Sequence, residues 1–356
     1  MERTHPPPSP VPARGPRTGF ALIEALVVMV ACFVVFALLT AAASDARRQA
    51  RLGDDIAKLR QFGVWTGSYA ADNQDLFWSF SWRKGYSKSQ WPDLNAQAQG
   101  SDLSAGAAQG VDILRRLAGR TDILPINGWV PHVGYSHLPL SEYVGAPLPN
   151  LAGISAADEY RLMCARDPHG FDAGLYSPNP PLPGSNGPKR WPYSASFSIG
   201  AGFFDGSPIG ARIHQVGLSH NQFWVPNASV MVLGGRQQSE VAFPAVKVFM
   251  QDTHARHFGV RQPYCTHDQA RLPLLFTDGG VTVRSASESN PGWQPNHPTI
   301  FVPTNLVYTP EFWEPPTMSG AAAEIVFGRF RWTRGCPANL LAGRDFDGPE
   351  VCTPLP

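Results

Sequence analysis

Gly19-Phe20-Ala21-Leu22-Ile23-Glu24 opens the stretch that decides this chain, because the twenty residues after it, Ala25 to Ser44, carry no charge. At about 1.5 Å each, they span about 30 Å, the thickness of a bilayer's hydrocarbon core. The spacing predicts a transmembrane helix over residues 20–44. Glu24 stands at its lip, where a carboxylate is costly to bury and calls for a partner.

Upstream, residues 1–19 form a polar leader with Arg3, Arg14 and Arg17 against Glu2, in a proline-rich run that cannot be helical. The positive-inside rule places this end in the cytoplasm, although Arg47, Arg48 and Arg51 on the far side blur that rule. Two other targeting signals have to be weighed. Ala41-Ala42-Ala43 before Ser44 supplies small residues for an ordinary secretory cleavage site. Cys32 after Val30-Ala31 suggests a lipoprotein signal, but Phe33-Val34-Val35-Phe36 continues the apolar run past it. Neither explains a glutamate five residues into the segment.

Downstream, Leu52, Ile56, Leu59 and Phe62 make an apolar stripe among Arg47, Arg51, Asp55 and Lys58, which predicts that the helix continues over 45–72. Gly53, Gly63 and Gly67 weaken it, and Asp72-Asn73 read as its end. Residues 73–356 then form an extracytoplasmic head. The 356 residues carry 16% charged side chains with 34 Gly and 35 Pro, which disfavours a helical bundle and favours a loop-rich sheet domain. The expected class is α+β, with a long N-terminal helix packed on an antiparallel sheet. A net charge of +1 gives no global field for nucleic acid, and the ten histidines shift that balance in acid.

Within the head, Val111, Ile113, Leu114 and Leu117 predict a short helix, and Val230-Met231-Val232-Leu233 and Val246 to Met250 read as buried strands. Pro181 to Pro188 reads as a loop. Trp78, Trp82, Trp91 and Trp129 read as core packing rather than a ligand platform. Among Cys164, Cys265, Cys336 and Cys352, the last two are the expected disulfide, with four free thiols an equal alternative.

Gly19-Phe20, then Glu24 and a spanning helix, resembles the N-terminal signal of type IV pilins and type II secretion pseudopilins. The resemblance implies that a prepilin peptidase cuts at Gly19–Phe20 on the cytoplasmic side, that the new Phe20 amine is methylated, and that Glu24 pairs with the Phe20 amine of a neighbouring subunit. Two opposite charges in a low-dielectric core are tolerated as a pair, which also sets register. Leu59-Arg60-Gln61-Phe62-Gly63, Tyr69-Ala70-Ala71-Asp72-Asn73, Cys164-Ala165-Arg166-Asp167 and Pro244 to Asp252 are similar to segments of one pseudopilin-like family. That family carries a box of His, nine residues, then Asp-Gly. Here the box is His267 and Asp278-Gly279 with ten residues between, one insertion near Pro273. The family pattern implies a pilin-like fold and an inner-membrane subunit with cytoplasmic N-terminus. Its partners would be the prepilin peptidase and methylase and other pilin or pseudopilin subunits.

Three places can carry chemistry. Leu274 to Val283, with Asp278-Gly279 at its centre, is a hairpin signal, so the box has a turn reading as well as a site reading. His254, His257 and His267 lie near Asp252, Asp268 and Asp278; they are either exposed loop histidines or the ligands of an envelope metal-binding protein or hydrolase. No HExxH helix, Walker loop or Gly-x-Ser-x-Gly elbow accompanies them. Asp345, Asp347 and Glu350 form a short loop of oxygen donors suited to calcium or to an ordinary turn. The expected function is structural: a filament subunit with no catalytic residue and no cofactor beyond that calcium.

Overall fold

The computed structural model describes residues 22–126, 132–178, 185–204, 206, 220–221, 233–292, 303–331, 341 and 343–348. Gly19, Phe20, Trp129, Val230 to Val232, Cys336, Glu350 and Cys352 lie outside the described residues, as does the first half, 181–184, of the 181–188 loop. The chain divides into two compact units, Met1–Arg48 and Gln49–Pro356.

The first unit contains the start of helix α1 (Leu22–Asp72). Every side chain described there is exposed, and the large apolar ones include Leu22, Ile23, Phe33 and Phe36. Thr40 Oγ1 donates to the Ala37 carbonyl at 2.9 Å, so that hydroxyl is satisfied inside the helix. Among the described residues, α1 is the one helix long and apolar enough to cross a membrane.

In the second unit the remainder of α1 buries Leu52, Asp55, Leu59, Phe62, Thr66 and Ala70, a spacing of three and four that makes one continuous face. This corrects the expected stripe: Asp55, not Ile56, lies at its centre, and Ile56 is half-buried. The helix ends at Asp72, where Asn73 Nδ2 donates to the Tyr69 carbonyl at 2.8 Å. Short α2 (Pro92–Gln97) leads to α3 (Asp102–Leu117), whose Ser101 cap accepts from Ser104 N at 3.1 Å. Nearly all of α3 from Ala105 to Arg115 is buried, which accounts for its small and apolar residues. Helices α4 (Leu138–Tyr143) and α5 (Glu159–Arg166) follow.

Four antiparallel strands form the main sheet in the order β1 (Phe197–Ile199), β2 (Val248–Asp252), β3 (Arg271–Phe276), β4 (Val281–Ser285). A separate two-stranded ribbon pairs β5 (Asn305–Tyr308) with β6 (Glu324–Phe327). Strand β2 starts two residues later than expected because Pro244–Val246 is a 3-10 turn. It bulges at Phe249, between the pairs Val248–Phe276 and Met250–Leu275. The bulged ring stacks on Phe77 at 5.3 Å and meets Phe203 and Trp78 edge-on, at the centre of the core. Pro273 lies just past the last β2–β3 pair, Gln251–Leu274, where the missing N–H costs no ladder bond. Trp78 and Trp82 are buried as expected of packing residues. Cys164 and Cys265 are buried free thiols. Asn186–Arg190 is a helical turn, so the loop expected through Pro188 is shorter; Pro188 in a first turn has no intrahelical N–H to lose.

Candidate functional site

Two parts of α1 are candidates for function: the bare apolar segment, and the face by which the head grips the helix. In the first, Glu24 is the acid of the first turn, where the helix dipole favours negative charge. Among the described residues of its own unit, nothing covers the apolar surface behind it. Large exposed apolar surfaces of this kind mark membrane or partner contacts.

In the second, Arg51, Asp55 and Lys58 recur at helical spacing and hold successive residues of one antiparallel segment. Arg51 pairs with Glu159 at 2.7 Å, Asp55 accepts from Ala156 N at 2.7 Å and from Ser155 Oγ, and Lys58 donates to the Ile154 carbonyl at 2.9 Å. Asp55 is fully buried and also accepts from His257 Nε2 at 2.7 Å, which ties the segment after β2 to the same carboxylate. Among the described residues, His257 Nδ1 has no partner.

Behind Asp55 lies a second buried charge group. Arg256 bridges Asp158, at 2.8 Å, and Asp252. Asp158 also accepts from Arg161 at 3.1 Å and Ser196 Oγ at 2.8 Å. Burial would raise the Asp158 carboxyl, but the Arg256 and Arg161 charges hold it well below the usual carboxylate range. Asp252 is pushed up by burial, against Arg256, with the Asp55 charge adding to the rise. The arrangement can anchor a helix to a sheet; its charges are already matched to one another.

Three separate settings hold the histidines of the metal reading. His254 and His257 are buried, which overturns the exposed-loop expectation for both. Tyr308 hydroxyl donates to the Pro315 carbonyl, so His254 Nε2 is the donor in its 2.9 Å bond to that hydroxyl. Burial pushes His254 down to about 3, so it is neutral. His267 accepts at Nδ1 from Gln269 N at 3.1 Å, and its carbonyl receives Ala270 N at 2.8 Å in the turn that leads into β3. Among the described residues no three His, Cys, Asp or Glu side chains converge as a metal-binding group.

Asp278-Gly279 forms the β3–β4 turn, with Gly279 at φ +85° and Asp278 Oδ1 accepting from Gly280 N at 2.8 Å. The box thus brackets β3, His267 before it and Asp278-Gly279 after it, instead of meeting at one site. Gly279 lies against α1: a Cβ added to Gly63 would sit 3.3 Å from Leu275 Cδ1 and 3.7 Å from Gly279 Cα. The acidic loop separates as well. Asp345 is buried and accepts from Val248 N at 2.7 Å, with Lys247 Nζ at 3.4 Å. Asp347 is exposed and paired with Arg284 at 2.8 Å, which holds its carboxyl below the ordinary range. The structure does not bring Asp345 and Asp347 together as one ligand set.

Sequence reasoning missed Asp55, Asp158 and Arg256. Asp55 had a signal: three residues after Leu52 and four before Leu59, it occupies a stripe position. Asp158 and Arg256 had none for their own pairing, because they lie 98 positions apart, although each also has a near partner in Arg161 and Asp252. Comparison with known protein families, curated proteins and solved structures finds no match to this chain.

Proposed function

We propose that this chain is a structural subunit of a type II secretion pseudopilus or type IV pilus-like filament, anchored by α1 in the inner membrane with its N-terminus cytoplasmic. In this reading a prepilin peptidase cleaves Gly19–Phe20, the Phe20 amine is methylated, and Glu24 pairs with that amine on a neighbouring subunit. The observation that carries the reading is a single helix of two characters. Its first part is apolar and exposed behind one acid in the first turn, and its second part is packed into an α+β head with an antiparallel sheet. An exposed apolar rod needs lipid or sister helices around it, and a carboxylate at the lip of such a rod is costly to bury unless a cation neutralises it. The role is mechanical, and no residue is assigned a catalytic step.

Mass spectrometry of the mature N-terminus tests cleavage and methylation together, with N-methyl-Phe20 expected. Glu24→Gln should insert in the membrane at the level of the parent and fail to assemble, read as loss of crosslinked multimers. A mature chain that starts elsewhere, or a Glu24→Gln chain that assembles normally, overturns the reading.

A further inference from the structure

We propose that a cleft on the head binds an uncharged oligosaccharide, with Trp313 as its central stacking platform. Two cavities, of about 260 and 440 Å³, share Trp313 as a common wall. Their sizes bracket the lower end of small-ligand sites, about 300 Å³. The Trp191 and Trp313 rings lie 4.2 Å apart at 34°, and Phe312 meets Trp313 at 4.2 Å and 66°. Tyr135, buried and with the Arg190 guanidinium over its ring at 5.9 Å, lines the first cavity, and half-buried Tyr160 lines the second. Aromatic faces suit a ring whose axial C–H groups form an apolar side.

A second observation points to a ligand rich in hydroxyl groups. Among the described residues, the indole N–H of Trp191 and that of Trp313 each lack an acceptor. Buried donors are rarely left so, because each has lost its hydration without gaining an acceptor. His132, also on the wall, accepts at Nδ1 from Gly134 N at 3.1 Å, which leaves its Nε2 hydrogen as a donor.

Charge on the walls argues against an ionic ligand. In the second cavity Arg51 is engaged by Glu159, Arg256 by Asp158, and Glu314 by His220 at 2.8 Å. In the first, Arg190 and Glu311 contribute one charge of each sign to the lining. A phosphate would meet no net positive excess among these lining residues, and an ammonium in the second cavity would meet carboxylates that each already have a partner, whereas a neutral polyol needs neither. This inference is separate from the filament reading and holds whether or not the chain polymerises.

The test uses the full chain, purified in an amine-oxide detergent so that no sugar headgroup competes. Cellotetraose, maltotetraose and tetra-N-acetylchitotetraose are titrated by calorimetry and by tryptophan fluorescence, with decaproline as the other polymer that fits an aromatic groove. At least one tetrasaccharide is expected to bind with a Kd of about 1 mM or tighter. Trp313→Ala should weaken that binding at least tenfold, and Trp313→Phe, which keeps a stacking face, should lose less. Should Trp313→Ala fail to fold, Glu311→Trp, which fills the rim from an exposed position, carries the same expected loss. The proposal is overturned if no tetrasaccharide binds at about 10 mM, far above the affinity expected of such a cleft. Binding of decaproline in their place, or an unchanged affinity in the folded variants, overturns it equally.

Discussion

A carboxylate taken out of water keeps its charge only where donors replace the lost hydration, and Asp55 has three: Ser155 Oγ, Ala156 N and His257 Nε2. Two of the donors come from the segment that α1 holds and the third from the segment after β2, so removing the acceptor strands both segments at once. Asp55→Ala is expected to lower stability by about 3 kcal/mol, the lower end for breaking a buried pair, measured by urea denaturation of the full chain in detergent. Arg60→Ala, an exposed change on the same helix, should move it little. A polar residue on an apolar period is visible in sequence, which is why position 55 could have been suspected. What it binds could not be seen, because residues 155–156 and 257 lie about one hundred and two hundred positions away and no local rule joins them.

At the scale of elements, the glycines of α1 are of two kinds. Gly63 lies where the helix meets the β3–β4 turn, while Gly67 has open space around its α-carbon. Gly67→Ala should therefore stabilise by about 0.5–1 kcal/mol through helix propensity alone. Gly63→Val should destabilise by about 1–3 kcal/mol, because its methyl groups would press on Leu275 and Gly279; paired melting curves read both. The helix and the hairpin were legible since each is written in local periodicity and turn chemistry. Strand β1 was not: its three residues have no alternation to read, and they become a strand only by pairing with Met250 to Asp252. The bulge at Phe249 was hidden for the same reason, since it is a property of two strands and not of one.

Across the whole molecule, buried histidines set the response to acid. Burial pushes His132, His137 and His254 each down to about 3, from 6.5 when unfolded. Below 6.5 the unfolded chain takes up protons that the folded chain refuses, so their contribution is complete above 6.5 and is lost as pH falls towards 3. At pH 5 the loss is roughly 2 kcal/mol for each. Glu314, drawn down to about 2 by its bond to His220 against burial, adds to the loss only below about 4.5. Melting temperature should thus decline steadily from pH 7 to 5, and His254→Gln should flatten that slope by about a third. Composition showed that acid would matter, but not that the sign works through burial.

The grip of Arg51, Asp55 and Lys58 on residues 154–159 works as a toothed rack. One residue inserted between Arg51 and Lys58 would turn everything after it by about 100°, unhooking every later tooth together. Changes in helix length are therefore confined to the stretch before Arg51 or to the turn after Asp72, and the span between them is a fixed measure.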